Sequence, residues 1–194
     1  CLAHRAAHLW LGLGRPAGVW TADDGRLYVL TNQDNGSPAN IYVSSDQGAS
    51  WLESPLSIPL APSTRAVLGG HASQSYAGWV DAGVWTVGVA HAAVAALTDE
   101  RELHALPPGL AGFPRVPLAR ADDVLLAGET GTTGSPTEWR TVRASPVLTD
   151  APDVTTYRLE AGAAAQILGG AVVDGDFYLA GTARDLAGTG HWIV

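Results

Sequence analysis

The 194-residue chain contains no methionine and only one cysteine. A single cysteine allows no internal disulfide, so redox chemistry does not assign a compartment. A native chain starts with methionine, and its absence at position 1 suggests that upstream residues were removed or never captured. Cys1 then reads either as the lipid-bearing first residue of a processed lipoprotein or as the edge of a fragment. The second reading is preferred, because Leu9-Trp10-Leu11-Gly12-Leu13 already reads as a strand where a lipoprotein carries a polar tether.

Charge is also scarce. Charged residues make up 15% of the chain, with 11 basic side chains and a net charge of −8. The basic residues are scattered, so an electrostatic footprint for nucleic acid is absent and no such partner is expected. Long apolar runs are missing as well. Residues 84–97 come nearest, but Thr86, Gly88 and His91 interrupt them, short of the ~18 residues of a membrane span. No transmembrane segment is expected.

Catalytic signatures are few. No G-x-S-x-G is present to build a hydrolase elbow. His4 and His8 have helical spacing but lack the glutamate of H-E-x-x-H. His71, His91, His104 and His191 are dispersed, without zinc-ligand spacing. Gly12-Leu13-Gly14 falls short of a dinucleotide fingerprint. Neither a metal nor a cofactor is expected.

What the chain does have is 46% hydrophobic residues, 23 glycines, 12 prolines and seven tryptophans. Low charge with many turn formers points to an all-β, loop-rich fold. Asp24-Gly25, between 19–22 and 26–30, is a hairpin signal, and Asp174-Gly175 repeats it between 171–173 and 177–179. Residues 89–106 are Ala-rich and open to a helical reading, but the repeat alignment makes them a hairpin turning at Asp99.

That alignment rests on a spacing near 50, suited to blades of four strands. Leu126-Ala127-Gly128 recurs as Leu179-Ala180-Gly181, and the same offset of 53 carries Trp139 onto Trp192. Gly36-Ser37-Pro38 recurs as Gly134-Ser135-Pro136 after 98 positions, and Val67-Leu68-Gly69-Gly70 as Ile167-Leu168-Gly169-Gly170 after 100. About four blade-like units fit, approximately 9–58, 64–107, 113–160 and 165–194, the last incomplete. Pro59-Leu60-Ala61-Pro62 and Pro107-Pro108-Gly109 read as crossings between them. The single domain is expected to be part of a larger, six- or seven-bladed ring, its edges covered by the remaining blades or by a partner chain.

The sharpest local pattern is Ser44-Ser45-Asp46-Gln47-Gly48-Ala49-Ser50-Trp51, after the extended Ile41-Tyr42-Val43. Ser44 and Asp46 are short side chains that hydrogen-bond their own turn. Gly48 supplies a positive φ, and Trp51 returns an apolar ring to the space between sheets. This S-x-D-x-G-x-x-W pattern resembles an Asp-box, or bacterial neuraminidase repeat. Such hairpins join the outer strands of propeller blades in sialidases, some glucan-cleaving glycosidases, sortilin-type receptors and a photosystem assembly factor. Shifting the box by 53 places Asp46 on Asp99, so 98–101 reads as a degenerate copy.

The resemblance implies a β-propeller exported to the cell envelope or exterior. The leading expectation is a non-catalytic scaffold that binds a protein or glycan through its loops. The candidate loops are 32–40, 129–138 and 182–190, with Asn32, Asp34, Asn35, Glu129, Thr132, Arg184 and Asp185 singled out, all on one face of the ring. The alternative is a fragment of a secreted sialidase-like glycoside hydrolase. Sialidases carry an arginine triad, a Tyr/Glu nucleophilic pair, an Asp acid and a Phe/Tyr-Arg-Ile-Pro motif. Pro114-Arg115-Val116-Pro117 echoes that motif without the aromatic immediately before arginine, and reads as a proline-rich interblade linker. Two-carboxylate glycosidase chemistry has candidates in Asp81, Asp122, Asp123, Glu129, Asp174 and Asp176, and no pair stands out. A central channel lined by small and apolar residues would favour the scaffold.

Overall fold

A computed structural model describes residues 15–32, 39–58, 66–72, 74–81, 83–91, 96–121, 123–132, 135–145, 151–161 and 163–194. The described residues are all β, arranged in four antiparallel sheets as blades of a partial β-propeller. No helix among them is long and apolar enough to cross a membrane.

The first sheet runs β1 (Arg15–Thr21), β2 (Leu27–Asn32), β3 (Ala39–Ser44) and β4 (Leu52–Ile58). The second contains β5 (Val67–His71), β6 (Gln74–Asp81), β7 (Val84–His91) and β8 (Ala96–Ala105). The third contains β9 (Ala111–Ala119), β10 (Val124–Thr132), β11 (Ser135–Ala144) and β12 (Asp153–Tyr157). The fourth has three strands, β13 (Ala165–Val173), β14 (Asp176–Arg184) and β15 (Gly190–Ile193). Each sheet is a meander in which chain neighbours pair. The first strands, β1, β5, β9 and β13, lie against one another in succession and form the inner edge of the blades.

The turns follow from residue chemistry. Asp24 accepts the Arg26 amide at 3.0 Å, and Gly25 takes φ 82°, closing β1 onto β2. Asp174 and Gly175 take φ 51° and 85° in the equivalent turn of the fourth sheet. That double left-handed geometry is the two-residue hairpin expected of Asp-Gly.

Three apolar layers join the sheets face to face. Tyr28, Leu30 and Ile41 meet Leu68, Ala77 and Trp79 between the first and second. Val67, Trp85 and Val87 meet Val124, Leu126 and Val142 between the second and third. Leu125, Ala127 and Trp139 meet Ala165, Ile167 and Ala183 between the third and fourth.

Polar ties reinforce the seams. Asn32, at the end of β2, accepts the Ala66 amide at 3.1 Å and donates to its carbonyl at 3.2 Å, holding the approach to β5. The Asp23 amide donates to Ala72 across the same seam. Between the third and fourth sheets, Glu129 Oε1 accepts the Ile167 amide at 3.0 Å, and the Arg120 guanidinium donates to the Gly175 carbonyl while lying over the Phe177 ring.

Three of the four innermost strands share one irregularity. In β1, β9 and β13 the register skips Ala17, Arg115 and Leu168, each a bulged residue opposite no single partner. They are separated by 98 and 53 positions, the spacings of the sequence repeat. A bulge re-aims its side chain and bends the strand, so the repeat encodes a bend at the inner edge. β5 keeps regular register.

Several expectations are corrected. Asp99 does not sit at a turn. It lies inside β8, and Gly88 faces Asp99 and Glu100 across a bulge between the Val87–Arg101 and Val89–Thr98 pairs. The segment is a hairpin, as the repeat required, but its connection falls at 92–95, outside the described residues. Pro114-Arg115-Val116-Pro117 is not a linker either, since all four residues belong to β9. β9 is a sheet edge, which tolerates prolines that cannot serve a central ladder.

Candidate functional site

The C-terminal halves of the four inner strands line an open cavity of about 640 Å³. Its walls are Val19, Trp20 and Thr21 from β1, Leu68 to His71 from β5, Arg115 to Ala119 from β9, and Leu168 to Gly170 with Val172 from β13. These residues run toward the turns joining first strands to second strands. The hairpins between second and third strands, which hold the candidate loops, leave from the opposite end of the sheets.

The lining is mostly small or apolar. Two glycine pairs, Gly69-Gly70 on β5 and Gly169-Gly170 on β13, both line it. Gly70 is forced by packing, because a Cβ there would stand 2.2 Å from the Trp20 indole. At Gly69 a Cβ would stand 2.5 Å from the Pro117 carbonyl oxygen. Gly169 has open space instead. Trp20 is half-buried and tilted against Tyr28 at 5.1 Å between centroids, so its position is fixed from two sides.

Each wall is also the edge strand of its sheet. On such an edge, alternate backbone N–H and C=O groups are not used by the ladder and point away from it. The cavity therefore presents donors and acceptors together beside an indole.

Charged groups play a limited part. Among the described lining residues the acidic one is Asp23 and the guanidinium is Arg115. Arg115 spends Nε and Nη2 on Glu129 Oε2, at 3.2 and 3.0 Å. Glu129 is itself 3% exposed. This corrects its assignment to an exposed binding loop: Glu129 lies within β10 and ties the bulge at Arg115 to the backbone at Ile167. Among the described residues the carboxylate candidates likewise form no pair at the cavity, and Asp81 ends β6. Asp123 accepts from Arg120 and Arg143, and these bonds, Arg143 first, outweigh burial and hold it below the usual aspartate range. Asp174 and Asp176 are exposed at a turn, and Asp122 lies outside the described residues.

The other singled-out residues are dispersed. Asn32 is a seam residue, as described above, while Asp34 and Asn35 lie outside the described set. Thr132 is exposed at the end of β10, and Arg184 is exposed at the end of β14 rather than in a loop. Asp185 begins the β14–β15 loop and accepts the Thr189 amide at 2.8 Å and His191 Nε2 at 3.1 Å. The His191 bond, then that of Thr189, lowers its pKa.

The Ser44–Trp51 turn links β3 to β4 and is closed by its own side chains. Ser44 Oγ donates to Asp46 Oδ1 at 2.8 Å and accepts the Gly48 amide at 2.8 Å. Asp46 accepts the Ser50 amide at 2.8 Å and the Ser50 hydroxyl at 2.6 Å. Those Ser50 bonds lead the causes that lower its pKa to about 2. Gln47 and Gly48 take φ 59° and 88°. Trp51 is half-buried, and its ring stands beside Gly48. With five side-chain bonds held inside the turn, Asp46 and Ser44 serve the hairpin.

The sequence does not single out Trp20 or the two glycine pairs as site residues. The Leu-Gly-Gly repeat was visible in the sequence, but nothing there indicated that its copies would line one cavity.

No protein-family model matches the sequence, and no curated protein matches it. Among solved structures the chain is similar to an α-L-arabinofuranosidase from Clostridium thermocellum ATCC 27405, with 10% identity, a TM-score of 0.48, and coverage of 91% of this chain and 70% of that one. It is also similar to a thermostable family-43 glycoside hydrolase, with 8% identity, a TM-score of 0.36, and coverage of 89% and 84%.

Proposed function

We propose that this chain is part of a non-catalytic, exported β-propeller scaffold that binds a glycan, and that its Ser44–Trp51 turn is an Asp-box. One observation carries the binding reading: the axial cavity combines the half-buried Trp20 with the free edges of four inner strands. A neutral sugar ring suits that lining. Its C–H groups pack against the part of the indole that Gly70 and Tyr28 leave exposed, and its hydroxyls both donate and accept, as the backbone edge does. The small, apolar remainder of the walls, and the neutralisation of Arg115 by Glu129, support binding over catalysis.

The test titrates the protein with neutral oligosaccharides, following tryptophan fluorescence, alongside turnover of chromogenic glycosides. Saturable quenching that Trp20→Ala abolishes, without turnover, is the expected result. Turnover would overturn it in favour of a sialidase-like glycoside hydrolase. A failure of every glycan to bind would leave the scaffold with a protein ligand and remove the glycan.

A further inference from the structure

The seam between the second and third sheets contains a polar cluster that the binding site does not use. Arg140, on β11, is 7% exposed. Its Nη2 donates to Glu138 Oε1 at 2.6 Å, and its Nη1 lies 2.9 Å from Nε2 of His104, on β8 of the neighbouring sheet. Glu138 Oε1 also accepts the Thr130 hydroxyl at 2.7 Å. Arg140 Nε is buried without a partner.

We propose that His104 and Arg140 form an acid-sensitive joint between the second and third sheets, closed while the imidazole is neutral and released when it is protonated. A guanidinium only donates and does not lose its proton in proteins. His104 Nε2 must therefore be the lone-pair acceptor, with the ring proton on Nδ1. Protonating Nε2 removes that acceptor and sets two cations against each other at hydrogen-bond distance. Arg140 cannot rotate away cheaply, since Glu138 holds its other edge and Nε already lacks a partner.

The groups around the joint define its pH response. From β11 it is faced by Arg140 and Glu138, from β10 by the neutral Thr130, and on β7 its register partner is Trp85. On its own strand Arg101 and Glu102 are its neighbours in sequence. Burial first, and then the charge of Arg140, lower the His104 pKa from the ordinary histidine value. For Glu138 burial acts upward, but the bonds from Thr130 and Arg140, with the charges of Arg140 and Arg158, outweigh it and lower the pKa. Both shifts keep the Arg140–Glu138 pair ionised and His104 neutral at neutral pH. A base with a lowered folded-state pKa contributes its stability above the unfolded value and loses it as pH falls through the folded one. The joint is therefore closed at neutral pH and opens on the acid side of the ordinary histidine range.

The experiment is hydrogen exchange on the full chain from about pH 7.5 to about pH 4.5, corrected for intrinsic rates, in wild type and His104→Gln. The glutamine carboxamide accepts the Arg140 bond without titrating. Protection of β8 and β11 amides is expected to fall several-fold with acid in wild type and to stay level in the variant, with β2 and β3 as internal reference. An equal fall in both proteins would overturn the joint. Should the variant not fold, nitrogen NMR of His104 in wild type decides. An Nδ1–H tautomer titrating below about 6.5 supports the joint, and an Nε2–H tautomer at neutral pH overturns it.

Discussion

Trp139 and Trp192 occupy the same place in successive sheets but in opposite environments. Trp139 on β11 is in register with Glu129 on β10, and Trp192 on β15 is in register with Thr182 on β14. Both pairs are separated by the repeat offset of 53. Trp139 is 5% exposed against the fourth sheet, while Trp192 is 78% exposed. The same indole at the same register position is thus core in one sheet and surface in the next.

That contrast yields a paired prediction. Trp139→Ala removes a ring from the layer holding Leu125, Ala127 and Ile167, and is expected to cost about 3 to 5 kcal/mol in urea unfolding, the range for large-to-small core changes. Trp192→Ala should stay within about 0.5 kcal/mol, as exposed substitutions do. Similar costs at both positions would mean that the outer face of the fourth sheet is covered in solution.

The two glycine pairs that line the cavity differ in what they tolerate. Gly70→Ala drives a methyl to within 2.2 Å of the Trp20 ring, an overpacking expected to cost about 1 to 3 kcal/mol. It should also shift tryptophan emission, because Trp20 has to move. Gly169→Ala meets nothing within 4 Å and is not held at positive φ, so it should be neutral or slightly stabilising by reducing unfolded-state freedom. Paired denaturant melts check both.

Glu129 predicts a graded series. Glu129→Ala strips the acceptor from the buried Ile167 amide and the partner from Arg115. The cost should be about 2 kcal/mol, set mainly by the orphaned amide, because Arg115 is 36% exposed and can be hydrated. Glu129→Gln keeps an oxygen for Ile167 and should lose less than half as much. Equal losses would show that the charge, rather than the backbone bond, holds this seam.

How much of this was legible depends on how far apart the participants lie in sequence. The Asp24-Gly25 and Asp174-Gly175 hairpins were readable because two adjacent residues dictate a turn. The Ser44–Trp51 turn was readable for the same reason, each of its bonds spanning at most four residues. Asp99 falls inside a strand because an offset of 53 does not hold between the first two sheets, where β3 and β7 begin 45 residues apart (39 to 84) and β4 and β8 begin 44 apart (52 to 96). Glu129 reads as loop because Glu-Thr-Gly-Thr has turn composition, yet β10 continues through it to Thr132 with nearly every position buried. The cavity was hidden altogether. Its walls come from four strands that only the blade packing brings together, and an isolated Gly-Gly pair carries no sign of what it will face.

The turn at Asp46 predicts an acid response separable from that of the seams. Its carboxylate is held at a pKa of about 2, chiefly by the Ser50 hydroxyl and amide and then by Ser44. A lowered folded-state pKa means that the ionised form is favoured by folding. The contribution is therefore complete above the ordinary aspartate value of about 3.9 and is lost as pH falls from there through the folded value. Asp46→Asn retains one acceptor oxygen but supplies no charge and cannot titrate. The wild-type Tm should exceed that of Asp46→Asn by a few degrees at neutral pH, with the gap closing toward pH 2. Asp123, Glu138 and Asp185 also have lowered pKa values and weaken both proteins alike in acid. The difference between the two melting curves, rather than either alone, therefore reports the turn. A gap that persists unchanged into acid would show that the asparagine disturbs the geometry of the turn and that the Asp46 charge contributes nothing to it.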